Sequence, residues 1–158
     1  MAGKLKVSFN SPQCGWMSIG FENEQTEFHT TTAHAPHNDA LPDLMNVLTD
    51  LLDENAEGQE TLVQWNRDPE EFDFWLRRSQ GKIKIEIWQY PTGRRLNAKR
   101  EIVFRHESDA REVATAFYET FEQMYEDRET DEFEQNWRQP FPFEAFERFK
   151  QKVLSRAK

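Results

Sequence analysis

Glu71-Phe72-Asp73-Phe74-Trp75-Leu76 is followed, a few residues on, by Lys82-Ile83-Lys84-Ile85-Glu86-Ile87-Trp88. In the first run Phe72, Phe74 and Leu76 alternate with Glu71, Asp73 and Trp75, and in the second Ile83, Ile85 and Ile87 alternate with Lys82, Lys84 and Glu86. A period of two in β-branched and aromatic residues marks strands that bury one face and wet the other. Thr61-Leu62-Val63-Gln64-Trp65 precedes them as a third such run, after the turn cluster Asn66-Arg67-Asp68-Pro69 is crossed backwards. Ser79-Gln80-Gly81 offers Gly81 for a left-handed hairpin position, and Tyr90-Pro91-Thr92-Gly93 suits a turn with Pro second and Gly fourth. Glu60 to Phe104 therefore reads as an antiparallel meander. It fixes the fold class and names no reaction.

Outward from that frame, 158 residues suit one domain, and 13 Phe and 5 Trp can fill a core although hydrophobic residues are only 37% of the chain. A formal charge of −9 favours solubility and repels polyanions. The single cysteine, Cys14, cannot close an internal disulfide, which suits a reducing cytoplasm. Met1 to Lys6 shows no apolar signal run, and no stretch approaches the roughly 20 apolar residues of a membrane span. The expectation is a cytoplasmic protein with no membrane role.

Towards the N-terminus, Leu5, Val7 and Phe9 alternate, as do Met17, Ile19 and Phe21, and Glu27 to Thr32 is rich in Thr. These predict three more strands, with Ser11 to Gly15 as the break. Cys14 lacks both a CxxC partner and a local base, so it reads as a free thiol in a turn. His29, His34 and His37, with Asp39 beyond, hold imidazoles and a carboxylate at short spacing. Such groups can ligate zinc, but the spacing matches no familiar metal motif, and a solvated loop explains them equally. No metal or cofactor is assigned. Asp39 suits the cap of a helix over 40–54, with Pro42 in its first turn and Leu41, Leu44, Met45, Leu48, Leu51 and Leu52 on one stripe.

Asp39-Ala40-Leu41, Gly58, and Trp65-x-x-Asp68-Pro69-x-Glu71-Phe72-x-Phe74-x-Leu76-x-Arg78 resemble a set of small bacterial proteins that share a Trp–(Asp/Glu)-Pro–Glu–aromatic hairpin. The resemblance spans Asp39 to Trp88, about a third of the chain. It implies a hairpin and no catalytic residue. Some proteins of this style are immunity partners in toxin systems, including contact-dependent inhibition, and the resemblance extends that expectation to this chain.

Charge separates beyond the hairpin. From Arg77 to Arg105 nine basic residues (Arg77, Arg78, Lys82, Lys84, Arg94, Arg95, Lys99, Arg100 and Arg105) face two acidic ones, a local charge of +7, with Trp75, Trp88 and Tyr90 interleaved. Basic and aromatic residues on a sheet can bind single-stranded nucleic acid, yet the net charge opposes it. The wet face of a hairpin, paired with acidic residues elsewhere, accounts for the same pattern. Glu101 to Phe104 reads as the last strand, and Ser108 as the cap of the longest helix. Ala110, Val113, Ala114, Phe117, Tyr118, Phe121, Met124 and Tyr125 form its apolar stripe.

The rest of that helix and its exit are acidic: Glu119, Glu122, Glu126, Asp127, Glu129, Asp131, Glu132 and Glu134, relieved only by Arg128. Like charges this dense cost stability unless solvated, compensated or used. A solvated face running into a linker is one reading. The other is a surface that steers onto a basic partner and takes the place of that partner's phosphates. Farther on, Phe143, Phe146, Phe149 and Val153 share a helical face. Trp137 and Phe141 are expected to pack on the domain; exposed, they would anchor a partner or a homodimer.

The sequence thus predicts one α+β domain over 1–158, sheet-rich over 1–105 with one inserted helix at 40–54, and helical over 108–158. The expected sheet is an antiparallel meander of about six or seven strands with two or three helices packed on one face. The function it favours is a non-enzymatic, acidic protein-binding module, an immunity protein that neutralises a toxin by charge complementarity. A metal-binding protein or enzyme on His29, His34 and His37, and a nucleic-acid binder on 77–105, are the alternatives.

Overall fold

The structure, a computed structural model, describes residues 4–33, 39–66, 70–91 and 100–156. Its strands are β1 (Lys6–Phe9), β2 (Trp16–Glu22), β3 (Glu27–Ala33), β4 (Glu60–Asn66), β5 (Glu71–Ser79), β6 (Lys82–Tyr90) and β7 (Glu101–Asp109). The helices are α1 (Ala40–Leu51), α2 (Ala110–Asp127), α3 (Phe133–Trp137) and α4 (Phe143–Arg156), with a 3-10 turn at Glu54–Ala56. The class is α+β with antiparallel strands. The turns read at Arg67–Pro69 and beyond Pro91 lie outside the described residues.

Strand order follows the chain, as a meander does. The pairing groups as β1–β3 and β4–β7, which among the described residues meet through one pair, Ala33 with Asn66. Farther along, the Phe28 ring of β3 and the Phe72 ring of β5 lie 5.6 Å apart. The expected meander of six or seven strands is met in strand order and direction, and less exactly at the junction of β3 with β4. The expected two or three helices become four, because the acidic exit of α2 folds into α3 instead of running on as a linker.

Inside, Phe21 of β2 meets Phe74 at 5.6 Å and Phe104 at 5.4 Å, so one ring from the first sheet touches two strands of the second. Phe117 and Phe121 of α2 join them, and Phe9 bridges Phe21, Trp65 and Phe121. Edge-to-face contacts such as these add about 0.5–1.5 kcal/mol each beyond simple burial. The apolar stripe of α1 is buried against β4 and α4, and α2 packs on β1 and α4. Thr120 of α2 meets the Phe9 backbone twice: Phe9 N–H donates to Oγ1 at 2.7 Å, and the hydroxyl donates to the carbonyl at 3.3 Å.

On β5 the alternation hides an exception. Glu71 and Asp73 lie on the face opposite Phe72 and Phe74 and are buried nonetheless, with Tyr90 donating its hydroxyl proton to Asp73 Oδ2 at 2.8 Å. Arg78, read as part of a basic surface, is 4% exposed. It donates from Nε to Glu57 Oε1 at 2.7 Å and from Nη1 to the Leu51 carbonyl at 2.8 Å.

Two caps differ from expectation. Asp39 holds the cap position of α1, but its φ of −92° and ψ of 7° are outside the extended region that aims a capping side chain, and only its carbonyl is used, by Asp43 N–H. Ser108 does not cap α2. The last strand runs on to Asp109, whose carboxylate accepts from Arg111 N–H at 2.8 Å, and the Ser108 hydroxyl turns inward.

Candidate functional site

Helix α2 buries Ala110, Val113, Ala114, Phe117, Phe121 and Met124, so the helical period sends Glu119, Glu122 and Glu126 outward. Glu119 and Glu126 are exposed and Glu122 is half-buried. Tyr118 sits among them, hydrogen-bonded to Glu122 and stacked on Phe146 of α4 with centroids 6.3 Å apart. Its hydroxyl pKa is pushed up to about 12, chiefly by burial, then by the Glu122 hydrogen bond and the fields of Glu122, Glu126 and Glu147. Glu147 comes from α4, and spacing along α2 alone could not have brought it to this face.

At the helix exit Asp127 is half-buried and accepts from Gln123 Nε2 at 2.8 Å. Arg128, the lone cation of the segment, folds back on the aromatic surface, its guanidinium 4.1 Å from the Tyr125 centroid and 5.1 Å from that of Phe143. It reaches Glu129 only at 4.0 Å. Glu129, Asp131, Glu132 and Glu134 are exposed. The turn that carries them is held by Phe133 N–H donating to the Arg128 carbonyl at 2.7 Å and by the buried Phe133 and Trp137. The carboxylates therefore ride on an ordered element. They also gather at the negative end of α2, whose last turn has no basic residue, so the helix dipole adds to the acidic field. With Trp137 and Phe141 buried, neither is a surface anchor.

Of the histidine cluster, His34 and His37 lie outside the described residues. His29 is exposed, its Nε2 3.5 Å from Glu27 Oε2. Among the described residues no group of three or more His, Cys, Asp or Glu is placed to hold a metal ion. Cys14 is exposed in a left-handed turn with φ of 53°.

The basic stretch of 77–105 divides on folding. Arg94, Arg95 and Lys99 are outside the described residues, and Arg78 is buried. Arg77, Lys82, Lys84 and Arg105 each stand directly across a ladder from an acidic residue, namely Glu60, Asp109, Glu107 and Glu86. Glu86 Oε2 lies 3.5 Å from both Lys84 Nζ and Arg105 Nε. Arg100 lies over the Trp88 ring at 4.2 Å. The +7 of the sequence is thus offset, on the described part of this face, by acids that the linear count missed because they lie on β4 and at the far end of β7.

A shallow cleft of about 270 Å³ opens between the end of α1, the 3-10 turn and α4, lined by Thr49, Asp50, Asp53, Asn55, Ala56, Gln59 and Lys152. Three of its polar side chains are engaged: Thr49 Oγ1 donates to the Met45 carbonyl, and Asp53 caps the 3-10 turn and faces Lys152 Nζ at 3.9 Å. Among the described residues no helix is long and apolar enough to cross a membrane. Comparison with known proteins finds no matching family model, no matching curated protein and no matching solved structure.

Proposed function

We propose that the chain is a non-enzymatic protein-binding module whose acidic surface, carried by α2, the following turn and α3, docks on a basic protein partner. The observation that carries this reading is the set Glu119, Glu126, Glu129, Asp131, Glu132 and Glu134, exposed on ordered helix and turn while the one cation among them, Arg128, is drawn inward over Tyr125 and Phe143. The molecule carries the repulsion of this surface without neutralising it. A positive partner would neutralise it and gain in association rate from the steering field. In the immunity-type version of the reading, the partner is a toxin whose phosphate-binding groups are covered by these carboxylates. That version belongs with a bacterial, cytoplasmic setting and the Trp–Asp-Pro–Glu–aromatic hairpin.

Capture from a bacterial lysate by tagged protein tests it, beside a variant with Glu119, Glu126, Glu129 and Glu134 changed to Gln. These four side chains are exposed and hold no turn or cap. A basic protein retained by the wild type, lost by the variant and released by salt supports the reading. Equal capture by both removes the acidic surface from the function.

A further inference from the structure

Asn23, at the turn between β2 and β3, has its side-chain amide fixed without ambiguity. Its Oδ1 accepts from the backbone N–H groups of Gln25 and Thr26, both at 3.0 Å, and backbone nitrogen can only donate. The Nδ2 end must then face β7, where it lies 3.1 Å from the Arg105 carbonyl and 3.0 Å from His106 Nδ1. Both amide protons are used. His106 Nδ1 is therefore an acceptor, and the ring carries its proton on Nε2, which donates to Ser108 Oγ at 2.8 Å. An imidazolium would point N–H at N–H across 3.0 Å.

His106 is 1% exposed and lies parallel to Phe104, with 17° between the planes. Across the ladder it faces Ile85 of β6, which is apolar. Its strand neighbours Arg105 and Glu107 are exposed on the other face of β7. From the turn it meets the Asn23 amide. From α2 the field of the exposed Glu112 favours the charged form, but burial outweighs it and holds the ring below the ordinary histidine range.

The position of this contact gives it consequence. Among the described residues, backbone pairing joins the two sheets only at Ala33–Asn66, at the far end of β3 from this turn. We propose that Asn23 and His106 form a proton-sensitive clasp, which holds the β2–β3 turn on β7 while the imidazole is neutral and releases it on protonation. Because the folded ring resists the proton, the clasp contributes its full stability above the ordinary histidine value of about 6.5 and loses it as pH falls below that. Release frees the turn from Asn23 to Thr26 and loosens the seam between Phe21 and Phe104.

Ring nitrogen NMR and amide exchange on the intact chain test the clasp. The expected result is a neutral Nε2–H tautomer that persists well below pH ~6.5, with protection at Gln25 and Thr26, corrected for intrinsic rates, falling by up to about tenfold per unit as pH drops below ~6.5 and levelling off once the folded ring is itself protonated. Asn23→Asp keeps an oxygen for the turn and presents a carboxylate to the ring. It should raise the His106 pKa by at least about one unit and so reverse the acid release. An Nδ1–H tautomer, an unshifted ring titration with unchanged turn protection, or no rise in Asn23→Asp would each overturn the proposal. His106→Gln, if it folds, should show turn protection that no longer depends on pH, and persisting dependence would likewise count against it.

Discussion

The Arg78 guanidinium joins two connections that are distant in sequence: its Nε lies 2.7 Å from Glu57 Oε1, and its Nη1 2.8 Å from the Leu51 carbonyl. The same Glu57 carboxylate accepts from Gln80 N–H at 2.7 Å and Gly81 N–H at 3.0 Å. The end of α1, the 3-10 turn and the β5–β6 hairpin are thereby held at one point.

Arg78→Ala leaves the buried Leu51 carbonyl without its donor and removes the packing of the arginine stem. The expected loss is about 1–3 kcal/mol for the orphaned acceptor, read as a lower urea midpoint at unchanged slope. Hydrogen bonding to Arg78, then to Gly81, holds the Glu57 carboxyl below its ordinary 4.5. Its contribution is therefore complete above that value and lost as pH falls through the lower folded one. Glu57→Gln should flatten this part of the acid limb, and an unchanged acid limb would remove the carboxylate from the account.

The β5–β6 turn places two residues in the left-handed region, Gln80 at φ 55° and Gly81 at φ 74°. Such turns favour Asn-Gly. Gln80→Asn is expected to raise stability by a few tenths to about 1 kcal/mol. Gly81→Ala meets no neighbouring atom yet keeps the positive φ, so it should cost about 1 kcal/mol from backbone strain alone. Thermal midpoints moving in opposite directions would bear this out, and a neutral Gly81→Ala would contradict it.

Tyr118 should ionise late, near 12. Its folded pKa exceeds the ordinary value of 10.0, so it adds stability below 10 that is lost as pH rises above it. Ultraviolet titration of the wild type against Glu122→Gln checks this, because removing the carboxylate should bring the late transition down. Failure of the transition to move would mean that burial alone sets it.

Trp137→Ala tests whether α3 is a built element. Trp137 is 2% exposed, and truncation of such a side chain costs about 3–5 kcal/mol. The variant should also become sensitive to proteases between Asp127 and Phe141. A loss under about 1 kcal/mol would return the segment to a linker.

Where burial follows period, the sequence was legible: the strands through Phe9, Phe21, Phe74 and Ile85, and the stripes of α1 and α2, are placed by alternation or helical spacing alone. It failed where one residue depends on a distant one. Arg78 looked like surface because Glu57 and the Leu51 carbonyl are not its sequence neighbours. Ser108 looked like a cap because its partner, His106, is fixed by an asparagine 83 residues away. The pairing of β3 with β4 at Ala33 and Asn66 depends on the relative register of strands separated by a helix, which no local pattern encodes. α3 was missed because five residues between acids show too little period, with Phe133 and Trp137 as the only apolar signal. Of the acidic surface, its α2 members were legible, whereas the addition of Glu147 and the withdrawal of Arg128 were not.

Phe9 lies on the outermost strand, and its N–H and carbonyl point away from β2, the direction from which a further chain would add. Thr120 occupies both. A strand arriving there finds both groups already engaged, so α2 guards the edge of β1 at Phe9, while the exposed Lys6 begins the same strand. Thr120→Val would reopen that position while keeping the shape of the helix face. The consequence is colloidal: at this position one hydroxyl denies the next molecule a backbone foothold.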